Sequence, residues 1–109
     1  MADLPQVTDS DFDARVLQAD KPVLVDFGAV WCHPCRKLDP LVEELASEWA
    51  DRLDVVKLDV DESAQSAMRF RVMSVPSLIL FVGGEVKERL VGFQAKARIQ
   101  NTIEPHLQS

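Results

Sequence analysis

Trp31-Cys32-His33-Pro34-Cys35 joins an apolar, strand-like run, Val23-Leu24-Val25-Asp26-Phe27, to an amphipathic helical pattern. This stretch holds the only two cysteines of the chain, two residues apart, where a strand hands over to a helix. The first turn of a helix presents unpartnered N–H groups and a partial positive charge. A thiol held there ionises readily, and the thiolate is the form that attacks disulfides. The segment reads as a thiol–disulfide redox centre. Three plainer readings stand beside it. As a structural staple, so short a loop gives about 2 kcal/mol in the chain-entropy model, against about 3 kcal/mol for fifteen residues. As a zinc site it supplies half the usual ligands, with His33 wedged between the thiols and His106 far along the chain. The thiols could also be incidental.

At 109 residues the chain is expected to form a single domain, 1–109, with a core that needs no metal or set of disulfides. Apolar content of 47% and charged content of 28% are ordinary for a globular protein. A net charge of −6 without a basic stretch argues against nucleic acid as a partner. No apolar run reaches membrane-spanning length, and Met1-Ala2-Asp3-Leu4-Pro5 has no signal-peptide character. The absence of further cysteines fits a reducing compartment, so the expected location is cytoplasmic.

Helical and strand periodicities alternate, the mark of a layered α/β domain. Thr8-Asp9-Ser10-Asp11 is rich in cap residues and precedes Phe12, Val16 and Ala19 at helical spacing. The run 23–27 is apolar on both faces except at Asp26, as a covered central strand requires. The helix that follows opens within the motif, where Pro34 is tolerated in the first turn. Leu38, Leu41, Val42, Leu45 and Trp49 form its buried stripe, and Pro40 predicts a kink. Strands are expected at 53–60, 77–82 and 85–91, the last two joined by Gly83-Gly84. A short helix spans 63–70, and a last one carries Ala95, Ile99 and Ile103 until Pro105 limits it.

With these elements in place the chain resembles the thioredoxin family over nearly its whole length. The matching residues are Val25-Asp26-Phe27, Trp31-Cys32, Pro34-Cys35, Pro40, Lys57, Val75-Pro76, Gly84 and Gly92. The resemblance implies a thioredoxin fold: a central mixed five-stranded sheet flanked by four helices. It implies a monomeric protein-disulfide reductase with no cofactor beyond its own Cys32–Cys35 disulfide and no metal. Its partners would be protein disulfides and a thioredoxin reductase that supplies electrons.

Residue roles follow from that resemblance. Cys32, the more exposed thiol, attacks the substrate disulfide, and Cys35 resolves the mixed disulfide. Asp26 is implied to assist proton loss from the buried Cys35. Asp26 is also odd on physical grounds, because burial in an apolar strand raises a carboxyl pKa. Lys57, read alone as a solvated lysine, is implied to lie near Asp26 and tune it. Val75-Pro76 is implied to be a cis bond facing the disulfide, with the Val75 backbone open to an extended substrate. Trp31, Val60, Gly92 and Phe93 complete the implied contact patch, with core packing the alternative for each.

Two positions depart from the family pattern. His33 stands where glycine is usual, making His33-Pro34 the expected redox-tuning dipeptide. A hydrogen bond from its ring, or its charge, would stabilise the Cys32 thiolate and make the protein more oxidising. Gly28 stands where tryptophan is usual, which predicts lost buried area and a cavity. Two other functions compete: an oxidase or isomerase, favoured by His33, and a binding module using the Trp31/Pro76/Gly92 surface.

Overall fold

In the computed structural model, which describes residues 4–107, strand β1 (Val23–Gly28) is the hub of a four-stranded sheet ordered β2-β1-β3-β4. Strand β2 (Asp54–Asp59) runs parallel to it, β3 (Ser77–Val82) antiparallel, and β4 (Glu85–Val91) antiparallel to β3. All of β1 is buried. Its alternation sorts side chains between two layers. Leu24 joins Val55, Leu78 and Leu80 beneath helices α1 (His33–Glu48) and α3 (Lys96–Ile103). Val23, Val25 and Phe27 join Val56, Leu58, Ile79 and Phe81 on the opposite face. There Phe12, Phe70 and Phe81 pack with ring centroids 5.0 to 5.7 Å apart.

The sheet has four strands among the described residues, where the family resemblance implied five. The N-terminal segment contributes one parallel bridge, Gln6 to Lys57, at the β2 edge. Val7 N–H donates to Lys57 O at 2.9 Å, and Lys57 N–H donates to Pro5 O at 2.8 Å. The ladder stops because neither neighbouring donor is available. Pro5 has no N–H, and the Asp9 N–H donates to Ser63 Oγ.

Among the described residues, four helical segments flank the sheet, and a short 3-10 turn, Glu104–His106, follows the last of them. The first is shorter than the spacing of Phe12, Val16 and Ala19 suggested, a wide π-type turn over Asp13–Leu17. Helix α1 runs without interruption through Pro40, and α2 occupies Ala64–Arg69. The expected stripe is buried at Leu38, Val42, Leu45 and Trp49, with Leu41 partly covered. Asp39 joins it, which the sequence reading did not foresee. Gly83 and Gly84 take φ of 60° and 83°, the left-handed pair that a two-residue hairpin needs. A Cβ on Gly84 would also lie 2.9 Å from the Leu17 carbonyl oxygen, so this turn docks against the first helical segment.

Candidate active site

The strand-to-helix junction sets Cys32 at the N-cap of α1 in extended conformation (φ −86°, ψ 109°). Its Sγ accepts a hydrogen bond from the Cys35 N–H at 3.2 Å, and Pro34 occupies the first turn, where no N–H is needed. Cys32 and Cys35 form a disulfide with Cα atoms 5.3 Å apart. The expected difference in exposure is not present. Cys32 is 3% exposed and Cys35 2%, because Ala29, Val60 and Val75 pack around both. What distinguishes the sulfurs is electrostatic: Cys32 Sγ receives the helix N–H.

Beneath the disulfide lie three ionisable side chains. Asp26 faces α1 from the centre of β1, and Lys57 is its register partner on β2. Asp39 reaches down from α1, and Lys57 Nζ donates to its Oδ2 at 2.5 Å. The lysine expected to serve Asp26 thus binds Asp39. Asp26 is fully buried, and neither of its oxygens has a donor among the described residues. Two carboxyls can hydrogen-bond only when one carries a proton. Burial first, then the Asp39 carboxyl, hold Asp26 well above the usual carboxylate range, while the Lys57 charge pulls the other way.

Gly28 follows Asp26 on the same face of β1. A Cβ there would sit 3.4 Å from Cys35 Sγ. With no side chain in place, a cavity of about 490 Å³ opens behind the disulfide. Gly28, Cys35, Arg36, Asp39, Lys57 and Asp59 are among its lining residues. Cys35 takes the space directly over Gly28, and the cavity lies beyond that contact.

The outer surface is built from loops. Val75-Pro76 is cis, and Val75 packs on the disulfide with Val60. Gly92 N–H donates to Pro76 O at 2.8 Å, tying the β4 end to the same loop. Trp31 is 66% exposed, with its indole N–H donating to Asp61 at 2.7 Å, and Phe93 is 49% exposed. Val60 is half-buried and packs on both the disulfide and the phenylalanine cluster, so core packing accounts for part of its role. His33 is exposed at the first helical position.

This architecture recurs in known proteins. The thioredoxin family model matches residues 3–105. The chain is 45% identical over 102 residues to a thioredoxin of Staphylococcus epidermidis, covering 94% of this chain and 96% of that one. It is 43% identical over 107 residues to thioredoxin 1 of Nostoc sp., covering 98% and 100%. It is 50% identical over 94 residues to a bifunctional thioredoxin reductase/thioredoxin of Mycobacterium leprae, covering 86% of this chain and 20% of that protein. The chain belongs to the thioredoxin family.

It is accordingly a thiol–disulfide oxidoreductase of thioredoxin type, with Cys32–Cys35 as its redox pair. Among the described residues, no group of three or more His, Cys, Asp or Glu side chains is placed to hold a metal ion. No described helix is long and apolar enough to cross a membrane. Within this thioredoxin site, Asp39 is the residue that sequence reasoning missed. The signal was available: Asp39 lies four residues after Cys35 and three before Val42, on the buried face of α1.

The buried carboxyl makes a stability prediction. A raised pKa means that the native state binds the Asp26 proton more tightly than the unfolded chain. That contribution is fully present below the ordinary carboxyl range and is lost as pH rises through the raised value. Asp26→Asn removes the dependence. Urea unfolding should show the variant more stable than the parent at alkaline pH, by about 1–3 kcal/mol, with the gain vanishing in acid.

Proposed function

We propose that the protein reduces disulfides in protein substrates and is itself re-reduced by a thioredoxin reductase, acting as a monomeric single domain, 1–109, in the cytoplasm. The observation that carries this reading is the hydrogen bond from the α1 N-terminus to Cys32 Sγ alone of the two sulfurs. In the reduced protein the same N–H stabilises a Cys32 thiolate. That thiolate attacks one sulfur of a substrate disulfide, and the other substrate sulfur leaves with the bonding electron pair as a thiolate. Cys35 then loses its proton and attacks Cys32 Sγ. The mixed disulfide breaks, the second substrate thiolate departs, and Cys32–Cys35 is left oxidised. The Mycobacterium leprae relative, whose name joins reductase and thioredoxin in one chain, supports the choice of electron donor.

Asp26 is the proton acceptor for Cys35 in this scheme. Gly28 meets Cys35 Sγ, and Asp26 lies two strand positions further back, about 6–7 Å along β1. Its unpartnered, buried carboxyl is the nearest acid–base group to Cys35 along that face of the strand, the placement that general base catalysis asks for. Lys57, in register with Asp26 on the next strand, favours the ionised acceptor by its charge.

Substrate recognition falls to Trp31, Val60, Val75, Pro76, Gly92 and Phe93. No backbone hydrogen bond among the described residues uses Val75, so both its N–H and its carbonyl are open to an extended substrate strand. Exposed Trp31 and Phe93 supply apolar contact beside it.

Insulin reduction tests the reading. The parent protein should precipitate insulin B chains in the presence of dithiothreitol. Cys32→Ser should abolish attack, and Cys35→Ser should accumulate a mixed disulfide on Cys32. Precipitation at the parent rate by either variant contradicts the scheme.

His33 and Pro34 tune the couple. A hydrogen bond from the His33 ring to Cys32, its neighbour in sequence, stabilises the thiolate in this reading and with it the reduced form, which raises the potential. Equilibration against glutathione should therefore give a more negative potential for His33→Gly, by about 30 mV for each ~1.4 kcal/mol of thiolate stabilisation lost. A parent potential near that of strong oxidants, about −120 mV, would favour the oxidase reading instead.

A further inference from the structure

The site contains one more carboxyl than the reaction scheme uses. Asp39 is 7% exposed, its Oδ2 is held by Lys57, and its buried Oδ1 has no hydrogen-bond partner among the described residues. A buried carboxylate oxygen left without a donor is costly even when its twin is paired, so this one asks for a purpose. It lines the Gly28 cavity together with Cys35 and Lys57, and it reaches the sheet beside the buried Asp26.

We propose that Asp39 is a positioning residue for the resolving step: clamped by Lys57 on the cavity wall, it governs when Asp26 is free to take the proton from Cys35. The proposal rests on Asp26 being that acceptor.

Charge counting explains how. With one proton on the two carboxyls, the Asp26–Asp39–Lys57 group is neutral as a whole. Removing that proton leaves a net negative charge in a buried space, which is unfavourable. Lys57 fixes the location of the charge: its ammonium bonds Asp39, so Asp39 is the ionised partner and Asp26 carries the proton. The other neighbours do not alter this assignment. From α1 the facing groups are Asp39 and the Cys35 sulfur, with Arg36 exposed at the cavity and donating to the Val30 carbonyl. From β2 they are Lys57 and Asp59, whose Oδ1 accepts backbone N–H groups of Asp61 and Glu62. From β3 the register partner of Asp26 is Leu78, and that strand carries no ionisable side chain.

For resolution, Asp26 must first lose its proton to solvent. Deprotonated Asp26 then takes the Cys35 proton. The Cys35 sulfur bonds to Cys32 Sγ, the bond from Cys32 to substrate breaks, and the substrate sulfur leaves with the electron pair and is protonated by solvent. The dithiol is oxidised and the substrate disulfide reduced, so atoms and electrons balance. Asp39 makes Asp26 a stronger base that is available over a narrower range of pH.

The test is the pH dependence of resolution, read by stopped flow as the second release of thionitrobenzoate after Ellman's reagent reacts with the reduced protein. Asp39→Asn removes the neighbouring charge and frees Lys57 for Asp26. The acid limb should move to lower pH, raising the rate on that limb roughly threefold to tenfold. Lys57→Gln should move the limb to higher pH, and Asp39→Glu should restore the parent profile. A merely structural role would lower urea midpoints and leave the limb where it was. Asp26→Asn separates the two claims: an unchanged profile overturns Asp26 as the acceptor. A limb that depends on Asp26 yet stays fixed in Asp39→Asn overturns only the role of Asp39. Should Asp39→Asn fail to fold, Asp39→Ser takes its place, and a limb that does not move to lower pH there overturns the proposal.

Discussion

A backbone N–H at the start of α1 points at one sulfur, and the site is arranged around that contact. Cys32 caps the helix in place of an oxygen-bearing residue, and its Sγ takes the bond from Cys35 N–H. The same turn sets the second cysteine one helical step inward, over β1. Pro34 keeps the first turn helical without a lost hydrogen bond. A single local geometry thus distinguishes two sulfurs that are equally covered by Ala29, Val60 and Val75.

The sheet supplies the complementary half of the chemistry. Leu24, Asp26 and Gly28 alternate along one face of β1, giving a core contact, a carboxyl and an opening in turn. The carboxyl is fully buried and the opening leaves a cavity of about 490 Å³ against Cys35. Lys57 stands in register with Asp26 but bonds Asp39, so the charges below the disulfide behave as a three-membered group. In the proposed scheme, an attacking sulfur stabilised by a helix end and a resolving sulfur served by buried acid–base groups are two different solutions to thiol ionisation, placed three residues apart.

Much of this was legible in the sequence because local patterns carry it. The apolar run of β1, the glycine pair of the hairpin and the proline in the first turn of α1 each act over a few residues. The burial of Asp26 was readable from its apolar neighbours on both sides. The fifth strand was not, because its reduction to a bridge depends on where two donors go: Pro5 has none and Asp9 spends its own on Ser63. The equal burial of the two cysteines depends on Val60 and Val75, which come from distant loops. Asp39 lay in plain view on the buried face of α1, but its meaning required knowing that Lys57 would reach it from another element. The glycine at position 28 announced missing volume, and only packing could show that Cys35 sits against it with a cavity beyond.

The central claim is that the helix end makes Cys32 an acid stronger than an ordinary thiol. Iodoacetamide alkylation of the fully reduced protein, followed across pH with the modified residue identified by mass spectrometry, measures that acidity directly. Cys32 should react first and titrate clearly below the free-cysteine value of about 8.5. Titration of Cys32 at or above that value, or faster reaction at Cys35, would contradict the account.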